Sequence, residues 1–198
     1  TLADLMYAEI MDKEIKIHDA ILHHEEKIDL IPSDISLSAI ELSLGNAMSR
    51  EFILKNILDS IKDLYDYIII DCPPSLNVLT VNAMTAADSV LVPIQCEFYA
   101  LDGLSQLIYT IELIQESLNP DLYIEGVVFT MYDSRTNLSA DVIANVKENI
   151  HLKIYDTVIP RNVRLAEAPS YGLPIHMYDK KSAGSIAYQK LAKEVINS

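Results

Sequence analysis

One acidic residue at the end of an apolar run is the clearest sign of chemistry in this sequence. Residues 64–76 read LYDYIIIDCPPSL, so an apolar run at positions 67–70 is followed by Asp71 and then by Pro73 and Pro74. A β-branched run of this kind is typical of a strand that is covered on both faces in a parallel sheet. Because ligands of open α/β sheets bind at the carboxyl ends of the strands, Asp71 is well placed to hold a hydrated Mg²⁺ beside phosphates. Turn capping is the alternative role for an aspartate in this pattern.

Basic side chains are concentrated in the last third of the sequence. The net charge is −14, but residues 1–133 carry 6 basic and 23 acidic residues, a balance of −17, whereas residues 134–198 carry 9 basic and 6 acidic residues, a balance of +3. Any contact with nucleic acid must therefore come from the last third. Its candidate side chains are Arg135, Arg161, Arg164, Lys180 and Lys181. Ordinary solvated surface charges are the alternative interpretation.

Composition argues against several other classes of protein. The sequence has no run of 18 apolar residues and no basic leader before an apolar stretch, which predicts neither a membrane span nor a signal peptide. Cys72 and Cys96 follow two predicted buried strands without metal-type spacing, so we expect reduced core thiols in a cytoplasmic protein. The five histidines form no metal-binding cluster. No residue is assigned a catalytic role.

The elements that must position these residues follow from hydrophobic periodicity. Strands alternate with helices of ten to eighteen residues, which indicates βαβ units and an α/β fold: a mainly parallel sheet with helices on both faces, in a single domain spanning residues 1–198. The predicted strands are 28–31, 67–71, 89–93, 124–131 and 155–159. The predicted helices are short ones within 1–20, two within 38–64, and then 77–87, 100–117, 140–149 and 182–196.

Four segments together resemble a known family. Residues 64–76 are similar to the Walker B strand and switch II turn of the ParA/MinD branch of P-loop ATPases. Three further segments follow the chromosome- and plasmid-partitioning ParA (Soj-like) members in the family's order: ADSVLVPIQCEFYALDGLSQL at 87–107, IEGVVFTMYDSRTNL at 124–138 and TVIPRNVRLAEAPSYGLPIHMYD at 157–179. The resemblance implies a P-loop NTPase-like fold.

The sequence departs from the family at its front. ParA proteins open with a strand, a lysine-bearing glycine-rich P-loop and a helix, and no such motif can be drawn through the five scattered glycines of this sequence. We therefore expect a ParA-type domain truncated at its N-terminus. In the family the P-loop strand lies beside the Walker B strand, so residues 67–71 are expected to flank a gap in the sheet.

The resemblance implies a nucleotide site. Asp71 is expected to contact Mg²⁺ through water as the Walker B acid. Met131, Tyr132, Pro160, Arg161 and Asn162 follow two strand ends in the order in which the family builds its purine pocket. A base needs an apolar slot and a few hydrogen bonds to its edge, which such residues can supply. Core and turn positions are the alternative interpretation for Met131 and Pro160.

The resemblance also implies a DNA contact. Arg135 and Arg164 occupy motif positions that are linked in the family to non-specific DNA binding by the ATP-bound dimer. Arginine suits this role because its planar fork can bind two phosphate oxygens and its charge does not titrate. An ion pair between Arg164 and Glu167, at helical spacing, is the alternative.

The functional expectation is a partitioning ATPase. The family's cofactors are ATP or ADP with Mg²⁺, with binding expected to be impaired in this chain. Its partners are a second copy in a homodimer, a ParB-like regulator and non-specific DNA. No membrane contact is expected, because the 182–196 helix lacks the basic amphipathic character of MinD tails, and the protein is expected to be cytoplasmic and nucleoid-associated. The alternative is a non-hydrolysing, truncated ParA-like binding module that keeps only dimer and partner surfaces.

Overall fold

The chain forms two compact units. A computed structural model describes residues 1–24, 26–45, 47–73 and 75–198. The first unit comprises Thr1–Asp88 with Thr110–Leu122, and the second comprises Ser89–Tyr109 with Tyr123–Ser198. The single ATPase domain expected from the sequence stays a prediction.

The first unit is mainly helical. Its elements are α1 (Leu2–Ile10), α2 (Ile17–Ala20), β1 (Leu22–His24), β2 (Ile28–Leu30), α3 (Leu37–Leu44), α4 (Ile53–Asp59), a 3₁₀ turn (Lys62–Leu64) and α5 (Val78–Ala86). The short helices near the start, the strand at β2, the two helices α3 and α4, and α5 confirm the sequence predictions. Strand β1 was not predicted; it pairs with β2 as an antiparallel hairpin.

Apolar side chains at helical spacing build the core of this unit. Met6 of α1, Leu44 of α3 and Ile57 of α4 are almost fully buried in one cluster. α5 is joined to α4 by Asn82, whose side chain is fully buried. Its Oδ1 accepts from the Leu54 N–H at 3.1 Å, and its amide nitrogen donates to the Arg50 and Val78 carbonyls at 2.7 and 2.9 Å. All its strong hydrogen-bonding atoms are thereby satisfied.

The second unit contains a parallel pair of strands. β3 (Ser89–Gln95) and β4 (Tyr123–Thr130) run side by side with one irregularity after Val90. The helices are α6 (Ala100–Ser117), which begins in this unit, then α7 (Asn137–Asn149), α8 (Val163–Glu167), α9 (Ile175–Tyr178) and α10 (Ala183–Ile196), with a 3₁₀ turn at Ala168–Tyr171. The strands at β3 and β4 and the helices α6, α7 and α10 confirm the predictions.

Helices cover both faces of these strands. Val127 and Phe129 belong to a cluster with Leu104 of α6 and Val146 of α7. The intervening Val128 belongs to a second cluster, with Leu191 of α10. The alternation along β4 therefore places successive side chains in two different cores, as in the P-loop NTPase-like α/β fold expected from the sequence.

Two predicted strands are not formed as predicted. Residues 67–71 are not in a strand, and Ile69 is 92% exposed, so the burial expected on both faces is wrong. Within the described residues no sheet partner is seen for this segment, and a strand needs a neighbour to satisfy its backbone groups.

The predicted strand at 155–159 is only partly formed. Isolated parallel bridges lie just outside its two ends, Val127 with Ile154 and Tyr132 with Pro160, and no continuous ladder joins them. The ladder is broken at Thr157, whose N–H donates to the Glu194 carboxylate on α10.

Among the helices of the described ranges, none has the length and apolarity needed to cross a bilayer.

Candidate functional site

Asp71 lies in an exposed stretch of the first unit. The strand that was expected at residues 67–71 is not formed, so the prediction that Asp71 lies at the carboxyl end of a strand is wrong. In the described part of the chain, no three His, Cys, Asp or Glu side chains are grouped closely enough to hold a metal ion. Asp71 is therefore a single exposed carboxylate, which fits contact with a hydrated Mg²⁺ through water and no tighter cage. Its role in metal binding stays a prediction.

Hydrogen bonds fix the segment that follows the turn after Asp71, where the chain enters α5. The hydroxyl of Thr80 in α5 donates to the Ser75 carbonyl at 2.6 Å. Asn77 caps α5, accepting from the N–H groups of Leu79 and Thr80 at 3.2 and 3.1 Å. Pro74 lies outside the described residues. The turn thus leads from an unpaired segment into a helix that Asn82 fixes to the unit's core.

The five residues predicted for the purine pocket come together in the second unit. The Tyr132 N–H donates to the Ile159 carbonyl at 3.1 Å, and the Arg161 N–H donates to the Tyr132 carbonyl at 2.9 Å. These bonds hold the residues after β4 beside the turn at Pro160. Met131 is 41% exposed and has a positive φ of 55°, a conformation that is rare for such a side chain.

The place where Tyr132 pairs with Pro160, called the Tyr132–Pro160 junction from here on, has groups suited to a planar ligand. Met131 and Pro160 supply apolar surface, and neither is buried, so the alternative that Met131 is a core residue does not hold. Asn162 caps α8 by accepting from the Arg164 N–H at 3.0 Å. The Arg161 guanidinium lies 3.5 Å from Glu97, which follows β3. Purine binding by these residues stays a prediction.

Arg135 is held by a carboxylate that sequence reasoning did not single out. Its Nε and Nη2 donate to the two carboxylate oxygens of Asp133 at 2.8 and 2.6 Å, and its backbone N–H donates to the same group at 3.0 Å. These hydrogen bonds hold the pKa of Asp133 well below its ordinary value and raise the pKa of Arg135. The sequence feature that could have indicated this pair is the spacing of Asp133 and Arg135, two positions apart in a predicted loop.

Arg164 is also paired. Its Nη1 donates to Glu167 at 2.9 Å, which is the ion pair that the sequence allowed as an alternative, and its Nε lies 3.5 Å from Asp179. The Tyr178 hydroxyl donates to the same Glu167 oxygen at 3.0 Å. The pKa of Arg164 is raised, first by the hydrogen bond to Glu167. Asp179 and Tyr178 lie too far along the sequence from Arg164 to be found by helical spacing.

These features define a class of protein. A pair of parallel strands joined by a helix and covered by helices on both faces is the α/β arrangement of P-loop NTPase-like proteins. A family model described as an AAA domain matches residues 1–124.

Sequence and structure comparisons narrow the class. The chain is 58% identical over 170 residues to the sporulation initiation inhibitor protein Soj of Bacillus subtilis, covering 86% of this chain and 67% of that protein. It is 52% identical over 194 residues to the chromosome partitioning protein ParA of Caulobacter vibrioides, covering 97% and 73%. A cobyrinic acid a,c-diamide synthase from Mycobacterium smegmatis, solved with an ATP analogue and magnesium, is 34% identical with a TM-score of 0.82, covering 99% and 71%. The chain belongs to the Soj/ParA family of chromosome-partitioning ATPases.

Proposed function

We propose that this protein acts as a ParA-type partitioning ATPase in chromosome or plasmid segregation. It binds ATP with Mg²⁺, forms a homodimer, binds DNA without sequence preference at the nucleoid in the cytoplasm, and is regulated by a ParB-like partner. The structural observation that supports this proposal is the Tyr132–Pro160 junction, where the family's purine-pocket residues lie side by side although 28 positions separate them. The similarity to Soj and ParA supports it independently.

In this proposal the junction holds the adenine base. Met131 and Pro160 contact the faces of the ring, and backbone groups near Arg161 meet its edge. The Oδ1 atom of Asn162 is engaged in the cap of α8, which leaves its amide nitrogen to donate to the base. The positive φ of Met131 turns the chain sharply at the end of β4, so its side chain is presented at the rim of the junction.

Asp71 would hold Mg²⁺ through a water molecule beside the phosphates. When bound, Mg²⁺ would neutralise part of the charge of the phosphates. Because no group of three His, Cys, Asp or Glu side chains that could hold a metal ion is seen in the described residues, the ion would depend on water and on phosphate oxygens for the rest of its coordination.

A second candidate function is a non-hydrolysing binding module. It is favoured by one observation: the 198 residues contain no glycine-rich loop with a lysine. Phosphoryl transfer is catalysed almost entirely by positioning and by charge stabilisation around the β- and γ-phosphates. The 198-residue chain by itself is therefore expected to release no phosphate from ATP above background, which a phosphate-release assay measures. Turnover that Asp71→Ala abolishes would contradict this candidate and support hydrolysis by the chain.

The DNA contact is tested by removing both predicted arginines. Arg135→Ala combined with Arg164→Ala is expected to weaken binding to a mixed-sequence duplex at low salt, because each arginine contributes to a sequence-independent phosphate contact. Wild-type binding should also weaken steeply from low to moderate salt. The matched control is Arg50→Ala, which removes an exposed arginine that also pairs with a glutamate, but in the acidic first unit. Equal binding by the double variant and the wild type would show that these arginines are wrongly assigned.

A further inference from the structure

The two arginines predicted to contact DNA are each occupied by a carboxylate of the same chain. The fork of Arg135 binds both oxygens of Asp133, with N–O distances of 2.8 and 2.6 Å. The two residues are separated by one position, and the Arg135 N–H donates to the same carboxylate. The loop itself therefore brings the two partners together, without a contribution from a distant element.

Arg164 is occupied in a different way. Its Nη1 contacts Glu167 within α8, and its Nε approaches Asp179, which follows α9. Glu167 also accepts from the Tyr178 hydroxyl, which orients the carboxylate toward the guanidinium. Two elements therefore contribute to holding the second arginine.

A carboxylate and a phosphate compete for the same donors. The guanidinium offers a planar fork that matches two oxygens of either group. The fork that Nε and Nη2 of Arg135 form cannot bind two oxygens of a DNA phosphate while both nitrogens donate to Asp133. A phosphate that binds through this fork thus displaces the carboxylate, which is released to water, and a phosphate that binds the remaining N–H groups meets an arginine whose charge is already paired.

We propose that Asp133, and Glu167 with Asp179, are internal competitors of DNA phosphate on Arg135 and Arg164. This inference rests on the DNA contact of the proposed function and deepens it, because it assigns a regulatory role to the acidic residues of that same surface. The carboxylates keep the affinity of a single chain low and preserve the side-chain geometry that a phosphate then uses.

Exposure makes the exchange feasible. The Arg135 side chain is 83% exposed and half of Arg164 is exposed, so a phosphate can reach each guanidinium, while the paired carboxylates are partly exposed, Asp133 to 21% and Glu167 to 39%. Exposed ion pairs contribute little net free energy, and their competition should reduce affinity by about two- to fivefold per arginine. Lys180 and Lys181 lie next to Asp179, and no ion pair is seen for either within the described ranges; they supply a contact that remains when the arginines are occupied.

The test replaces each competitor by its neutral amide. Asp133→Asn and Glu167→Gln in the full chain are compared with wild type by fluorescence anisotropy on a short mixed-sequence duplex across a salt series. Each substitution should tighten binding about two- to fivefold. It should also steepen the dependence of log affinity on log salt by up to about 0.9 for each freed arginine.

A control variant distinguishes the release of one arginine from the general effect of removing a negative charge. Asp141→Asn changes the net charge equally in the same unit, but the Asp141 carboxylate has no hydrogen bond or ion pair among the described residues. It should change affinity less than either test variant. In addition, Asp133→Asn should have no effect in an Arg135→Ala background, because the arginine that it frees is gone.

Three results would overturn the inference. Tightening by Asp133→Asn that persists in the Arg135→Ala background would assign the effect to bulk charge. If the wild type binds DNA and neither amide variant binds it more tightly, the carboxylates do not compete with phosphate, although the predicted DNA contact is retained. Absence of binding by wild type and by both amide variants at the lowest salt would refute the DNA contact, and the inference with it. If Asp133→Asn does not fold, the same cycle with Glu167→Gln and Arg164→Ala decides the question.

Discussion

Two apolar runs of similar composition differ in structure: one forms a buried strand, and the other is exposed. Residues 67–70, in the first unit, read YIII, and residues 127–130, in the second unit, read VVFT. Val127 to Phe129 lie in β4, paired with β3 and nearly completely buried. In the other run Ile69 is 92% exposed, and no sheet partner is seen for it in the part of the chain that the structure describes.

The difference shows that strand propensity alone does not make a strand. β-branched residues fit a pleated surface, but the backbone groups of a strand must be paired and its faces must be covered. β4 receives the pairing from β3 and from residues near Lys153 and Ile159, and α6, α7 and α10 cover it. The run at 67–70 has the residues of a buried strand, but no neighbouring strand is seen for it among the residues that the structure describes.

The largest expected effect on stability comes from a substitution in the buried run, at Phe129. Phe129→Ala should lower the free energy of unfolding by about 3–5 kcal/mol, because a fully buried aromatic ring is replaced by a cavity. Ile69→Ala is the matched change in the other run, and it should stay within about 0.5 kcal/mol of wild type. Urea denaturation followed by circular dichroism measures both. A cost for Ile69→Ala as large as that for Phe129→Ala would show that residues 67–70 are packed in solution.

A smaller effect is expected at the bulged part of β4. A Cβ on Gly126 would lie 2.7 Å from the Tyr155 ring, so Gly126→Ala should cost about 1–3 kcal/mol by forcing the ring or the backbone to move. Gly103→Ala is the control, since nothing lies within 4 Å of its added Cβ in α6. It should stabilise the chain by about 0.5–1 kcal/mol through helix propensity. Thermal melts of both variants distinguish the cases, and a neutral Gly126→Ala would mean that Tyr155 does not pack on β4.

The same comparison explains what the sequence could predict. β3 and α6 were predicted closely, because their apolar periodicity and their pairing partners lie within one βαβ unit. Residues 67–71 were assigned wrongly, because a strand's partner is a property of the whole sheet and leaves no trace in the strand itself. β1 was missed because its three residues are too short and too polar for a periodic signal.

The candidate site shows a similar division. The Tyr132–Pro160 junction was expected from the family resemblance, and no local pattern in the chain links the two positions. The pair of Arg164 with Glu167 follows from helical spacing. Asp179 reaches Arg164 only through the folding of α9 and the adjoining turns, which no spacing rule describes.

Hydrogen exchange of the two runs tests the central claim most directly. The claim is that residues 127–129 form a paired strand, while residues 68–70 are a similar apolar run that has no sheet partner among the described residues. Amide exchange resolved by residue should give rates near those of an open chain for Ile68, Ile69 and Ile70, and protection by orders of magnitude for Val127, Val128 and Phe129. Protection of residues 68–70 equal to that of β4 would contradict the account, because those amides would then have a stable hydrogen-bonding partner.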